Sequence, residues 1–159
     1  MTVAAIAARP RADGQAEYLL VEEETSKGLC LNNPAGHLDP GESPEQAVVR
    51  EALEETARTF TPEAFVGVYL TRNDAIAGAA DVTYLRLAYV GRAGEPDPAR
   101  RLDHGIVGTL WMTLDELRAS RERHRSPLVL RCIEDAAAGQ RHPLGIVFTD
   151  PGVFRTASP

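Results

Sequence analysis

The chain has 159 residues and a formal net charge of −6, enough length for one domain with its own core. Hydrophobic residues make up 43% and charged residues 25%, the balance of a soluble globular protein, and no apolar run is long enough to span a membrane. The acidic balance argues against a general nucleic-acid binder, which needs a basic footprint, but not against a phosphorylated small molecule whose charge is bridged by cations.

Residues 2–8 are apolar and strand-like, without the basic leader and apolar core of a signal peptide. Residues 9–15 contain Pro10 and Gly14 and read as a turn. Residues 17–21 form a second strand, ended by the acidic run Glu22-Glu23-Glu24. Residues 28–31 form a short third strand leading into the Pro34-Ala35-Gly36 loop. Cys30 and Cys132 are the two cysteines, without metal-ligand spacing, and read as reduced thiols of a cytoplasmic protein.

Pro34, Gly36, Pro40 and Gly41 break regular structure. Ser43 then caps a helix, Pro44 suits its first position, and Gln46 completes a capping box. The helix is expected from about residue 44 to about residue 58. At about 100° per residue, Val48, Val49, Ala52, Leu53 and Thr56 share a face suited to packing on a sheet. Arg50, Glu51, Glu54 and Glu55 fall on the other. Glu51 and Glu55 are neighbours on the helix surface and repel by a few tenths of a kcal/mol. Arg50 offsets one carboxylate, Glu54, at the four-residue spacing. A solvated acidic face and a site for hard divalent cations both fit this pattern.

Residues 65–71 are rich in β-formers, and residues 73–80 read as a loop. Residues 82–90 are the clearest strand after the helix, with Leu85, Leu87 and Tyr89 on one face and Tyr84 and Arg86 on the other, exposed face. The two strands are expected to form a hairpin. Residues 91–104 hold Gly91, Gly94, Pro96 and Pro98 and read as a long surface loop. Residues 105–112 form another strand, and Thr113 with Glu116 caps a short helix. Ser126-Pro127 opens a last helix to about residue 138, stopped by Gly139. Residues 1–148 read as one α/β domain, a mixed sheet with helices on both faces, and residues 149–159 as a tail.

Gly36, five residues, Glu42, seven residues, Arg50-Glu51, two residues, Glu54-Glu55: this order resembles the signature of the Nudix hydrolases. The pattern departs from the family at its end, where Ala57 and Arg58 stand in place of a glycine and an aliphatic residue. The resemblance implies a MutT-like α/β/α sandwich with the signature helix packed on one side of a mixed sheet. Pro34-Ala35-Gly36-His37-Leu38, Tyr84-Leu85-Arg86, Arg125-Ser126-Pro127-Leu128-Val129 and Gly139-Gln140-Arg141-His142-Pro143-Leu144 further resemble the NudJ-type phosphatases, over residues 2–144.

Mg²⁺ is the implied cofactor, with Mn²⁺ as a substitute. A divalent ion neutralises the oxygens of a phosphoanhydride, lowers the pKa of a bound water and holds both in line. By resemblance Glu54 and Glu55 are metal ligands, and Glu51 is a ligand or the base. The carbonyl of Ala35 is a further ligand, Arg50 orients a glutamate, and Glu42 is structural. Many family members add an acidic ligand from a later loop. Gly105 holds its usual position, beside His104, and Asp103 is the nearest carboxylate.

Arg86 is the first candidate substrate contact, with a salt bridge across the sheet face as its alternative. Tyr84, Arg100 and Arg101 are weaker candidates, and His37 is a candidate because it lies inside the motif loop. Ser126 reads as a helix cap rather than a nucleophile.

The implied activity is release of orthophosphate from nucleoside di- and triphosphates and thiamine-related pyrophosphates, by a monomer. A pyrophosphohydrolase that releases pyrophosphate from triphosphates is a second reading. A binding domain that has lost hydrolysis is a third, against which intact Glu51, Glu54 and Glu55 argue.

Overall fold

The computed structural model describes residues 1–26, 28–73 and 82–154. Beyond Asn73, the expected loop over 73–80 lies outside the described residues, as does the end of the tail. The strands are β1 (Thr2–Pro10), β2 (Ala16–Thr25), β3 (Gly28–Asn32), β4 (Ala35–His37), β5 (Arg58–Asn73), β6 (Val82–Pro96) and β7 (Ile106–Thr113). The α-helices are α1 (Pro44–Thr56), α2 (Leu114–Ala119) and α3 (Leu128–Ala137).

The sheet runs β3-β2-β1-β6-β5, with β4 added to β1 and β7 to β2. β1 and β6 pair in parallel, and the other described pairs are antiparallel. β1 changes partner along its length. Thr2, Val3 and Ala4 pair with β4, whereas Ala8, Arg9 and Pro10 pair with β2. The sheet therefore splays between β1 and β2. The Asn32-Asn33-Pro34 turn fills the opening, with the Ala5 N–H donating to the Pro34 carbonyl at 2.9 Å.

Both faces of the central strands are covered, which is why Val3–Ala7 read as an unbroken apolar run rather than an alternating one. On one face Ile6, Leu20, Val66 and Val90 meet Leu117 of α2 and Val129, Cys132 and Ile133 of α3. On the other, Val3, Ala5, Leu19, Phe65 and Leu87 meet Ala47, Val48 and Ala52 of α1. This is the expected α/β/α layering. The two cysteines are buried and unbridged.

Three segments differ from the sequence reading. β2 continues through Glu22-Glu23-Glu24, because β3 pairs along one side of that run and β7 along the other. Ladder hydrogen bonds outweigh the low strand preference of glutamate. β4 lies inside what read as a loop. Finally, β5 begins at Arg58, directly after the helix, and its long hairpin with β6 carries residues 91–96 into the sheet. Gly91 permits this, since a Cβ there would overlap the Thr61 carbonyl. The expected hairpin is present, with longer arms than its hydrophobic pattern suggested.

Candidate active site

The helix α1 begins as its sequence dictates. Ser43 Oγ accepts from the Gln46 N–H at 3.2 Å, and Gln46 Oε1 accepts from the Ser43 N–H at 2.9 Å. Its buried stripe is not the expected one. Ala47, Val48, Glu51, Ala52, Glu55 and Thr56 are buried, while Val49 and Leu53 are only half-buried. The helix is rotated so that two of its glutamates point inward. The reason is β4: its backbone and a glycine leave the space and donors those carboxylates need.

Glu55 Oε2 accepts the Ala35 N–H at 2.8 Å. Glu51 lies over Gly36, where any Cβ would overlap its carboxylate. Arg50 gathers the remaining charge. It donates to Glu42 at 2.7 and 3.0 Å, to Glu51 at 2.8 Å, to Glu54 at 3.0 Å and to the His37 carbonyl at 2.9 Å. The guanidinium thus ties the motif loop to the helix and offsets three carboxylates, where the spacing alone suggested Glu54. Glu42 also accepts the Asp39 N–H at 2.8 Å, so it closes the loop.

Asp103 arrives from the other side. Its N–H donates to the Glu54 carbonyl at 2.9 Å, docking the loop before β7 onto the end of α1. Its Oδ1 accepts the His104 N–H at 2.7 Å.

Burial pushes the Glu55 carboxyl up to about 8 against the pull of the Ala35 N–H, and the charges of Glu51, Glu23 and Asp103 push the same way. Burial also raises Glu51, although Arg50 opposes it. The Glu42 carboxyl is lowered by its Arg50 hydrogen bonds, and Arg50 is raised by the same contacts.

A cavity of about 700 Å³ opens on the far side of β4. Ala35, Gly36 and His37 form one wall, and Tyr84 and Arg86 of β6 line it too. The glutamates of α1 touch β4 but are not part of the described lining. Five arginines face the cavity, Arg72, Arg86, Arg121, Arg125 and Arg131, against the carboxylates Glu23 and Glu134. In a chain of net charge −6 this is a local concentration of guanidinium groups, two of them already facing carboxylates, Arg125 at Glu23 and Arg131 at Asp135.

Arg86 does not lie on an exposed face. It is 8% exposed, because β6 is a central strand with α3 packed over that side. It makes no salt bridge across the sheet among the described residues. Its Nη1 and Nη2 donate instead to the side-chain oxygens of Asn33 and Asn32, at 3.3 and 3.5 Å. Burial lowers its pKa. His37 is exposed, with its ring 6.2 Å from that of Tyr84. Arg100 and Arg101 sit in the loop before β7, off the described lining.

Sequence reasoning missed Asn32, Asn33 and Glu23, and the wall made by Arg125 and Ser126 was noticed only as a subfamily match. The Asn32-Asn33 pair before Pro34 was the local signal in the sequence, and its burial shows only in the fold.

Among the described residues, no three His, Cys, Asp or Glu side chains are gathered tightly enough to hold a metal as they stand. Arg50 accounts for this, since Glu51 and Glu54 are both turned onto its Nη1. The donor chemistry nonetheless fits a hard divalent cation. Glu51, Glu54, Glu55 and Asp103 supply oxygen donors, and at Glu55 burial, with the charges of Glu51, Glu23 and Asp103 added to it, disfavours a bare carboxylate that a cation would compensate.

Helices thus cover both faces of a mixed sheet, and an Arg-bridged glutamate helix lies beside an arginine-lined cavity. The NUDIX domain family profile matches residues 1–132, and the chain belongs to that family, as a hydrolase of phosphorus-containing anhydrides. The proteins named Phosphatase NudJ from Escherichia coli and Shigella sonnei are each 34% identical over 135 residues, covering 84% of this chain and 83% of the relative. A NUDIX hydrolase structure from Nitrosomonas europaea is similar with a TM-score of 0.82 and 46% identity, covering 95% of this chain and 97% of that one. The NUDIX domain of Shewanella oneidensis NrtR, complexed with ADP ribose, shares the fold with a TM-score of 0.64 at 20% identity, covering 86% and 85%.

Proposed function

We propose that this chain is a Mg²⁺-dependent phosphatase of the NudJ type, with Mn²⁺ able to substitute. It would release orthophosphate from nucleoside di- and triphosphates and from thiamine-related pyrophosphates. The observation that carries the reading is the arginine-lined cavity sharing β4 with the glutamate helix. Phosphate oxygens suit the guanidinium wall, and the hard cation needed beside them suits the carboxylates. The NudJ relatives, similar over most of the chain, support the phosphatase assignment.

In this reading Glu54, Glu55, the Ala35 carbonyl and Asp103 hold the metal. Glu51 accepts the proton of the attacking water on a carboxylate oxygen. Its burial, which raises its proton affinity, suits that role. Arg50 positions Glu51 and Glu54. Arg86, Tyr84 and His37 contact the substrate. We place the enzyme in the cytoplasm as a monomer. Among the described residues no helix is long and apolar enough to cross a membrane.

Product analysis tests the proposal. The enzyme with Mg²⁺ is offered nucleoside di- and triphosphates, ADP-ribose, thiamine pyrophosphate and its pyrimidine pyrophosphate precursor, with Glu55→Gln as control. Orthophosphate from several of these, lost in the variant, is the expected result. Pyrophosphate from triphosphates alone would replace the phosphatase by a pyrophosphohydrolase, and no turnover would leave a binding domain.

A further inference from the structure

We propose that the cavity wall opposite β4 is a second anion subsite. The first turn of α3, Ser126, Arg125 and the buried guanidinium of Arg86 would hold the phosphate that stays on the organic fragment when the anhydride bond breaks. The choice of ligand rests on the phosphatase reading. The site itself rests on four observations.

The first is the start of α3. This helix has ten residues, no acidic residue in its first turn and no side-chain cap from Pro127. Ser126 is the nearest hydroxyl, and its Oγ accepts the Leu128 N–H only at 3.3 Å. The helix's own first turn and cap therefore supply no anion to its positive end, and Ser126, Pro127 and Leu128 face the cavity.

The second is Arg86. It lines the same cavity while 8% exposed, and its Nε has no hydrogen-bond partner among the described residues. No carboxylate among the described residues forms an ion pair with it. Its bonds to Asn33 and Asn32, at 3.3 and 3.5 Å, are long and go to neutral oxygens. Charge-assisted bonds are typically about 2.7–2.9 Å. Cys132 and the charges of Glu23 and Glu55 also favour the guanidinium, but a buried cation without a direct ion pair is costly, and an anion in the cavity would supply one.

The third is the link between the two. Asn33, which takes one Arg86 bond, donates its Nδ2–H to the Val129 carbonyl at 3.4 Å. This fixes Arg86 against the first turn of α3. The fourth is Arg125, whose side chain is 45% exposed and whose Nε faces Glu23 Oε1 at 3.3 Å. Among the described residues its Nη groups make no hydrogen bond, which leaves them as donors for a ligand. Glu23 tempers the wall and keeps the subsite from being uniformly cationic.

The subsite is built from β6, the Arg125-Ser126 segment and α3, none of which belongs to α1, although the charges of Glu23 and Glu55 reach Arg86. Leaving the metal out separates its occupancy from that of the carboxylate cluster. The organic monophosphate product, which retains this phosphate, should bind the full chain with all divalent metal chelated.

The test is calorimetric titration of the metal-free protein with a nucleoside monophosphate, the parent nucleoside and inorganic phosphate. We expect the monophosphate to bind one to one, the nucleoside to bind at least tenfold more weakly, and inorganic phosphate to compete. Arg86→Gln and Arg125→Gln should each weaken the monophosphate at least tenfold. Arg92→Gln, an exposed arginine paired with Glu63, should leave it unchanged. If Arg86→Gln does not fold, Arg125→Gln carries the test.

Equal affinity in the Arg125 variant overturns the proposal. So does nucleoside binding as tight as the monophosphate, or no binding without metal. Pyrophosphate release in the product assay alongside intact monophosphate binding would reject the phosphatase reading and keep the subsite.

Discussion

The carboxylate of Glu51 rests on the α-carbon of Gly36, in the place a Cβ would occupy. A motif glycine is thus a requirement of carboxylate packing rather than of backbone freedom. Gly36→Ala would push Glu51 off β4. The displaced group is the end of a flexible side chain, so the fold should survive, with Tm within about 3 °C of the parent. Turnover should fall by about 10²-fold, the scale of losing a positioned base. Parallel melting curves and Mg²⁺-dependent rates check this, and an active Gly36→Ala enzyme would remove Glu51 from the proposed mechanism.

Ala57 ends α1 in the left-handed conformation, φ 54°, ψ 22°, the one non-glycine residue with positive φ among the described residues. A Cβ in that region costs about 1 kcal/mol. Ala57→Gly, which restores the family's residue, should therefore stabilise the protein by about 1 kcal/mol and raise Tm by about 2–4 °C. An unchanged or lowered Tm would mean that the buried Ala57 methyl packs well enough to offset the strain.

The signature helix was legible because its determinants are local. The Ser43 cap, Pro44, Gln46 and the glutamate spacing all act within one turn or two. Which face it buries was not. Glu51 is buried against Gly36 of β4, a three-residue strand whose pairing with β1 is set by residues more than thirty positions away. The layering was readable from alternating strands and helices, and the Nudix resemblance agreed with it. Arg86 was misplaced because strand parity alone assigns one exposed face, and a central strand has none. The cavity wall at Arg125 and Ser126 left only a subfamily match in the sequence, since α3 meets the Asn32-Asn33 turn only after folding.

Arg50 and Glu42 form two hydrogen bonds, at 2.7 and 3.0 Å, that close the motif loop on the helix. Glu42→Gln and Arg50→Met should each destabilise, and the pair should be non-additive by about 1–2 kcal/mol in a double-mutant cycle. Arg50→Met also releases Glu51 and Glu54, so it should lower activity more than Glu42→Gln does. Additive denaturation energies would show that the guanidinium contributes through its other partners alone.

Glu55 gives the metal-free chain a pH signature. Its carboxyl ionises near 8 in the folded state, against an ordinary value of 4.5, so the unfolded chain loses this proton first as pH rises. The contribution to stability is full below about pH 4.5 and is lost as pH climbs through about 8. The slope is at most about 1.4 kcal/mol per pH unit. Glu55→Gln keeps the acceptor for Ala35 without the charge. In chelator, the variant should be more stable than the parent at pH 8, with the advantage shrinking toward pH 5. Melting curves that run parallel across this window would contradict the assignment.

Asp103 is anchored by its backbone, not its side chain, to the end of α1: its N–H donates to the Glu54 carbonyl at 2.9 Å. Asp103→Asn preserves that bond, and its amide oxygen can still accept the His104 N–H. Stability in chelator should change by less than about 0.5 kcal/mol. If the side chain is the later-loop ligand, removing its charge weakens divalent binding beside Glu55, and the Mg²⁺ concentration for half-maximal rate should rise about tenfold or more. Asn at this position also removes one of the charges that raise Glu55, so in metal-free protein the Glu55 titration should move down. A Mg²⁺ requirement identical to the parent's, with the Glu55 titration shifted, would make Asp103 an electrostatic neighbour of the site and not a ligand.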